Sequence, residues 1–366
     1  MKRLLIFFCF IHAFIAANAQ WEWHNPQKNN TKKEWYIHNQ GWNEDGGNYR
    51  RLPLRAKGIV RNKIWDLAGE SAGLMLRFRT NATEIKVRYQ VTGGYSMPHM
   101  PSTGVSGVDL YRKTSGEEPE FCFGNYSFAD TIRYAYHIDK QAPTEDEFML
   151  YLPLYNGVKW MEIGVQTGQK FRFIPVEPQK PIILYGTSIA QGACVSRPGM
   201  AWGNILSRSL EMPLINLGFS GNGKLEKEVI DFINEQEASA IIFDCMANLN
   251  KCNAKEVNEL VQKAVNQVRN HHNTPPIILV EHAGYSNAKT NDSYYTMYTE
   301  PNTGQRMAYE ELKKKGVKNL YYLSHQELDY HPDSWVDFVH PSDWGMIQQA
   351  KAVEKKLKKS WKRVQK

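Results

Sequence analysis

The pattern of apolar and polar residues changes near residues 174–180. Before this point, short segments alternate apolar and polar side chains, as at residues 74–78, 84–89 and 160–165. Such alternation is typical of half-buried antiparallel strands, and turn-forming Gly, Pro and Asn residues separate the segments. Because helical periodicity is almost absent here, the pattern predicts a jelly-roll-like β-sandwich over residues 20–174.

The second half alternates apolar strands with helices. Continuous apolar segments predict buried strands at residues 181–185, 213–217, 240–244, 276–280 and 319–323. The clearest helix between them carries apolar residues on one face, at positions 257, 260, 261, 264, 265 and 268. This alternation predicts a parallel sheet with helices on both sides, over residues 181–366. In such sheets, ligand sites lie at the carboxyl ends of the strands.

The first 19 residues predict a secretory signal peptide. Lys2 and Arg3 precede an almost uninterrupted apolar segment at residues 4–17, and Ala17-Asn18-Ala19 provides a small-x-small cleavage site. The apolar segment is shorter than the ~20 residues of a membrane-spanning helix, which disfavours an uncleaved anchor. We therefore expect a secreted protein, periplasmic or extracellular, without membrane insertion after cleavage.

Composition and charge indicate an ordinary globular protein. The 366 residues are 42% apolar and 23% charged, which excludes a disordered or fibrous chain. The net charge is +7, and Lys and Arg dominate residues 351–366. No nucleic-acid-binding module accompanies this basic segment, so we interpret it as a solvated helix face and expect no nucleic-acid partner.

The remaining cysteines and the motifs give no support to a cofactor. Outside the signal segment lie Cys122, Cys194, Cys245 and Cys252, whose spacing leaves any disulfide pairing open. Neither a CxxC nor an HExxH motif is present, so we expect no metal and no cofactor.

Candidate catalytic residues follow the predicted strands. Ser188 follows the first strand, a Gly-rich segment at 218–223 follows the second, and Asn248 follows the third. Asp337 and His340 follow the last strand, at a spacing that lets the carboxylate meet one imidazole nitrogen while the other faces a serine. Alone, the serine is a common helix cap and the glycines an ordinary turn. Together, at one sheet edge, they indicate a nucleophile, a base and oxyanion donors.

The order Ser…Gly…Asn…Asp-x-x-His resembles the SGNH hydrolases, the GDSL-type esterase and lipase superfamily, across residues 181–357. The resemblance implies a flavodoxin-like three-layer α/β/α domain. It implies that Ser188 is the nucleophile, His340 the base and Asp337 the residue that orients the base. It also implies an oxyanion hole formed by the backbone amides of Ser188 and Gly221 and the side chain of Asn248.

The N-terminal half resembles a module found in the same superfamily. Residues 107–111 read Gly-Val-Asp-Leu-Tyr, similar to the Gly-x-Asp-Leu-Tyr module that precedes some exported SGNH esterases. Two blocks depart from the family pattern. The usual Gly-Asp-Ser is Gly-Thr-Ser at 186–188, and the usual Gly-x-Asn-Asp is Met-Ala-Asn-Leu at 246–249. Ala190 replaces the final Gly of a Gly-x-Ser-x-Gly elbow, so the chain does not follow the α/β-hydrolase pattern.

These features predict a serine esterase that removes acetyl groups from an oligo- or polysaccharide. A lipolytic or thioester hydrolase and a non-catalytic carbohydrate-binding protein are the alternatives, and no long apolar lid favours a lipid substrate. His99, in the loop 94–107, is a candidate substrate-binding residue, although this loop is equally interpreted as an ordinary interdomain connection. Aromatic side chains that could stack on sugars or belong to the core are Trp21, Trp23, Trp35, Trp42 and Trp65. The acyl group, the sugar and the oligomeric state stay open.

Overall fold

The computed structural model describes residues 20–29, 34–44, 48–114, 116–138 and 145–364. The predicted signal peptide lies outside the described residues. Within these ranges, no helix combines the length and the apolar composition needed to cross a membrane.

Two antiparallel sheets form the N-terminal module, by which we mean the described residues from 20 to 174. The strands of the first sheet are β1 (Trp21–His24), β4 (Glu84–Val91), β7 (Gly124–Ser127), β8 (Ile132–His137) and β10 (Val158–Gln166). The strands of the second sheet are β2 (Ile37–His38), β3 (Met75–Thr80), β5 (Asp109–Lys113), β6 (Glu120–Cys122), β9 (Asp146–Tyr151) and β11 (Phe171–Phe173). Their spatial orders are β1-β10-β4-β8-β7 and β11-β3-β9-β5-β6, with β2 beside β3. Three short helices lie between the strands: α1 (Pro26–Asn29), α2 (Asn62–Leu67) and α3 (Ser102–Val105).

The two sheets of the module enclose a common core. In β4, every second residue is buried, so Ile85, Val87 and Tyr89 point inward while the charged residues between them are only half-buried. These side chains pack in one cluster with Phe78 and Phe148 of the second sheet. The alternation in the sequence therefore produces a β-sandwich, as predicted.

The third sheet is parallel and five-stranded. Its strands are β12 (Ile182–Gly186), β13 (Leu214–Gly218), β14 (Ala240–Asp244), β15 (Ile277–Val280) and β16 (Leu320–Leu323). The helices around it are α4 (Ser188–Gln191), α5 (Trp202–Leu210), α6 (Lys227–Ile233), α7 (Ala254–Arg269), α8 (Asp292–Lys314), α9 (His325–Leu328) and α10 (Asp343–Val364). The spatial order β13-β12-β14-β15-β16 is the 2-1-3-4-5 order of flavodoxin-like folds.

The sheet is buried on both faces by two layers of helices. Ile183 and Tyr185 pack in the cluster that includes the apolar faces of α6, α7 and α8. Ile182 and Leu184 point to the opposite face and pack with α5 and α10. Because alternate residues of one strand enter different cores, the strand has to be apolar throughout. The predicted three-layer α/β/α domain with a preceding β-sandwich is confirmed.

The two halves of the chain share hydrophobic cores, although the sequence pattern changes between them. Leu52 and Ile64, from the module, are buried in the same cluster as α6 and α7. Met100 and Leu154, also from the module, are buried with α5 and α10. The module therefore packs directly against the α/β domain and contributes to the cores on both sides of its sheet.

Candidate active site

Ser188 lies at the tight connection between β12 and α4. The side-chain oxygen of Thr187 accepts a hydrogen bond from the N–H of Ile189 (3.3 Å) and caps the helix. A Cβ atom on Gly186 would lie 2.6 Å from the Cβ of Ala190, so the turn requires glycine. The register pairs Gly186 with Gly218 on one side and with Asp244 on the other, which aligns three strand ends. Ser188 thus occupies the carboxyl edge of the sheet, at a position where it is 8% exposed.

The structure brings Ser188, His340 and Asp337 into one chain of hydrogen bonds. The Oγ of Ser188 lies 2.9 Å from Nε2 of His340, and Nδ1 of His340 lies 2.8 Å from Oδ2 of Asp337. A proton on Nδ1, donated to the carboxylate, leaves the lone pair of Nε2 directed at the serine hydroxyl. This geometry suits proton transfer from the serine hydroxyl to an imidazole that is oriented by a carboxylate.

The carboxylate of Asp337 is held by its own loop. Its Oδ1 accepts hydrogen bonds from the backbone N–H groups of Val339 (2.8 Å) and His340 (2.7 Å). Burial alone would raise the pKa of Asp337, but the hydrogen bonds from the imidazole and from these backbone groups outweigh it and lower the pKa. Asp337 is therefore ionised at neutral pH and able to accept from the imidazole.

The turn after β13 leaves one backbone donor without an acceptor. The N–H groups of Asn222 and Gly223 both donate to the carbonyl of Phe219 (2.8 and 3.0 Å). Among the described residues, nothing accepts from the N–H of Gly221 in this turn or from that of Ser188 at the start of α4. Gly221 has a φ of 69°, a conformation that favours glycine. Two unpaired N–H donors are thus available at this edge.

Asn248 is tied to the same turn. In the amide orientation that satisfies its surroundings, Oδ1 accepts from the N–H groups of Asn222 (2.9 Å) and Gly223 (3.0 Å), and Nδ2 is left as a donor. A Cβ atom on Gly223 would lie 1.9 Å from the carbonyl oxygen of Gly186, so the turn packs directly on the end of β12. The three candidate oxyanion residues therefore belong to one packed unit.

The sequence interpretation missed residues of the module that support this turn. The side-chain oxygen of Gln191 accepts from the N–H of Ser220 (3.0 Å), and its amide group donates to the carboxylate of Glu70. The guanidinium of Arg51, which is 1% exposed, donates to the carbonyl of Gly218 at the end of β13. Arg51 and Glu70 belong to no motif, and their role depends on a distant segment. No signal in the sequence distinguished them from surface charges.

The loop that carries His99 lies against the site. The ring of His99 stacks on that of His340, with centroids 5.9 Å apart and an interplanar angle of 14°. His99 is exposed, and the turn that carries it is closed by backbone hydrogen bonds between Met97 and Met100. A second contact from the module is the hydroxyl of Tyr155, which donates to the carbonyl of Ser188 (3.4 Å).

The five tryptophans considered above as sugar-stacking candidates lie in cores or under cationic side chains. Trp35 and Trp42 are buried. The faces of Trp21, Trp23 and Trp65 are covered by Lys86, Arg88 and Arg50 respectively, at 3.7–3.8 Å from the ring centroids. A different aromatic group flanks the site: Phe338, next to Asp337, is 44% exposed and stacks on Tyr285 (5.5 Å) and Tyr294 (5.4 Å).

Comparisons with known proteins agree with the fold. The model of the GDSL-like lipase/acylhydrolase family matches residues 179–358, and the model of the GxDLY N-terminus of SGNH-hydrolase-type esterases matches residues 21–171. A solved structure from Bacteroides ovatus ATCC 8483, described as a GDSL-like lipase, is 31% identical with a TM-score of 0.84. That alignment covers 94% of this chain and 98% of the other. The chain belongs to the GDSL-like lipase/acylhydrolase family, which confirms the resemblance, and it is an ester hydrolase of the SGNH type.

More distant structures share the fold alone. A salicylyl-acyltransferase, SsfX3, from a tetracycline biosynthetic pathway is 17% identical with a TM-score of 0.71, covering 94% of this chain and 98% of its own. A family two carbohydrate esterase from Cellvibrio japonicus is 13% identical with a TM-score of 0.55, over the same shares of both chains. No curated protein matches the chain.

Proposed function

We propose that this protein is an exported serine esterase that hydrolyses acetyl esters on carbohydrates, with Ser188, His340 and Asp337 as its catalytic residues. The observation that carries the proposal is a continuous pair of hydrogen bonds. The first joins the serine hydroxyl to the imidazole (2.9 Å), and the second joins the imidazole to the ionised carboxylate of Asp337 (2.8 Å). Export is an expectation from the predicted signal peptide.

In the proposed reaction, Oγ of Ser188 attacks the ester carbonyl while Nε2 of His340 takes the hydroxyl proton. The imidazolium is stabilised by the carboxylate of Asp337, which stays ionised. Collapse of the tetrahedral intermediate breaks the bond to the sugar oxygen, and His340 returns its proton to that oxygen. A water molecule then repeats the same steps on the acyl-enzyme, which releases acetate and the free serine.

The developing oxyanion is held by the N–H groups of Ser188 and Gly221 and by Nδ2 of Asn248. Both backbone donors have no protein acceptor among the described residues, so they are available at no cost in lost hydrogen bonds. Each such donor lowers the barrier by about 3 kcal/mol. Because Oδ1 of Asn248 is anchored to Asn222 and Gly223, its Nδ2 is oriented in advance of the reaction.

Two features support a sugar ester as substrate. Phe338 lies between Asp337 and His340 in the sequence, its ring is exposed and stacked, and flat aromatic faces suit the apolar faces of sugar rings. Structures with the same fold include carbohydrate esterases, among them an acetyl xylan esterase from Butyrivibrio proteoclasticus, 10% identical with a TM-score of 0.53, covering 93% of this chain and 99% of its own. His99, stacked on His340, is proposed to contact the bound sugar.

The experiment is acetate release from a panel of acetylated oligo- and polysaccharides. We expect release by the native protein and a loss of at least about 10³-fold with Ser188→Ala. Ser209→Ala, which changes an exposed serine of α5, serves as the matched control and is expected to retain full activity. Activity that survives in Ser188→Ala would refute the nucleophile, and glycan binding without any hydrolysis would favour a non-catalytic protein.

Chain-length preference separates the sugar esterase from a lipolytic or thioester hydrolase. With nitrophenyl esters, we expect the rate to fall for acyl groups longer than acetyl, and a rate that rises with chain length would contradict the acetyl preference. The role of His99 is tested by His99→Ala, for which we expect a raised KM on sugar esters. Unchanged kinetics on every substrate would refute that role.

A further inference from the structure

A second chemical feature lies at the active-site edge. His99, Cys194, Asp337 and His340 each contribute one potential metal-ligand atom, and all four atoms lie within 4.8 Å of one another. They come from three separate parts of the chain: the module loop, the segment after α4, and the loop before α10. No linear motif could have revealed this cluster, because its members are up to 241 positions apart in the sequence.

The donor set matches the preferences of zinc. Imidazole nitrogen, thiolate sulfur and carboxylate oxygen are the three ligand types of tetrahedral Zn²⁺ sites. With metal–ligand bonds of about 2.0–2.3 Å, tetrahedral ligand atoms lie about 3.3–3.8 Å apart, so the most distant pair has to approach by at most about 1 Å. His99 is the exposed member of the cluster and lies on a loop, so its side chain has room to change position.

Cys194 has no part in the proposed hydrolysis. It is 5% exposed, has a φ of 67° and forms no disulfide with any described cysteine. Burial, together with the charge of Asp337, raises the pKa of its thiol to about 12, so without a cation it is a neutral thiol rather than a nucleophile. A bound divalent cation reverses this balance, because a coordinating thiol loses its proton.

We propose that His99, Cys194, Asp337 and His340 form an inhibitory Zn²⁺ site. Metal binding there breaks the hydrogen-bonded chain from Ser188 through His340 to Asp337. On binding, the thiol proton of Cys194 passes to solvent. If Nε2 of His340 coordinates the metal, Ser188 loses its base, and if Nδ1 coordinates, the hydrogen bond to Asp337 is broken. In the second case the Nδ1 proton moves to Nε2, which then has no lone pair for the serine hydroxyl, so either arrangement stops the proton transfer. The inhibitory effect rests on the proposed hydrolysis, whereas the binding does not.

The test measures binding and activity separately on the purified, reduced, metal-free chain. Co²⁺ serves as the optical probe, because thiolate coordination produces an intense charge-transfer band, and added Zn²⁺ displaces it. We expect one equivalent of Co²⁺ to produce this band in the native chain and Zn²⁺ to inhibit hydrolysis at the same stoichiometry. In Cys194→Ser we expect the band to disappear and the inhibition constant for Zn²⁺ to rise by at least about tenfold, with metal-free hydrolysis unchanged. Cys252→Ser, a half-buried cysteine outside the cluster, is the matched control and is expected to behave as the native chain.

The outcomes distinguish this inference from the proposed function. A band that is absent, or that persists in Cys194→Ser, overturns the metal site even if hydrolysis is normal. Zinc binding at Cys194 that leaves hydrolysis untouched overturns the inhibitory role. A normal, Cys194-dependent band in a chain that hydrolyses no ester supports the metal site and refutes the esterase.

Discussion

Replacing Asp337 by Asn tests whether the carboxylate orients His340 for proton transfer from Ser188. In the native protein, Oδ1 accepts from the N–H groups of Val339 and His340, while Oδ2 faces Nδ1 of His340. The asparagine has one oxygen, and two backbone donors hold it in place. Its NH₂ group then faces Nδ1, which has to become an acceptor. The imidazole proton moves to Nε2, where it points at Ser188, and His340 can no longer act as the base.

We expect kcat to fall by about 10⁴-fold, because the wrong tautomer of the base removes general-base catalysis while the geometry is kept. This corresponds to about 5 kcal/mol of barrier. KM is expected to change little, since Asp337 lies behind His340 and away from Ser188. The assay is steady-state hydrolysis of nitrophenyl acetate, combined with thermal unfolding to show that the variant is folded.

Asp333→Asn is the matched control for this variant. It removes a carboxylate from the same loop, and the side chain of Asp333 is 82% exposed. We expect its kcat to equal that of the native protein. An Asp337→Asn variant that keeps more than about a tenth of native kcat would show that Ser188 and His340 work as a pair, and the orienting role of Asp337 would be wrong.

Three further predictions concern the residues that support the site. Burial raises the pKa of Asp244, at the end of β14, to about 7, so the native state holds a proton that the unfolded chain releases above its usual value of 3.8. Asp244 should therefore make the free energy of unfolding fall as pH rises between these values, by up to about 4 kcal/mol. Urea titrations should show that Asp244→Asn removes this contribution, and a pH dependence identical to that of the native chain would contradict it. Glu70→Gln removes the charged acceptor of Gln191 and should lower kcat about tenfold at constant KM, whereas an unchanged kcat would exclude a positioning role. In urea unfolding, Gly223→Ala should lower the free energy of unfolding by at least about 3 kcal/mol, because the added Cβ would collide with the backbone of Gly186. Gly221→Ala should lower it by only about 1–2 kcal/mol, because the added Cβ has nothing within 4 Å and only the left-handed backbone conformation is unfavourable. The reverse order would refute the packing of the turn.

The positions of strands and helices predicted from the sequence agree best with the structure in the parallel sheet. The strand predicted at 240–244 is β14 as observed, and the one predicted at 181–185 begins and ends one residue later. The helix predicted from residues 257–268 extends over Ala254–Arg269, because Asn253 and Glu256 form a capping box that sets its start. These elements are predictable since a strand buried on both faces and a helix buried on one have different apolar periods.

The two kinds of sheet, the family and the order of Ser188, Asn248, Asp337 and His340 along the chain can all be predicted from the amino-acid sequence. Local periodicity and strand-end position are enough for this, because parallel strands bring their carboxyl ends to one edge. The contacts of Arg51 with Gly218 and of Glu70 with Gln191, and the position of Cys194 beside Asp337 and His340, could be found only in the folded structure. These contacts join segments that are far apart in sequence, and each depends on how the module docks on the α/β domain. No periodic pattern along the chain records that docking, because it is set by the shapes of two folded surfaces.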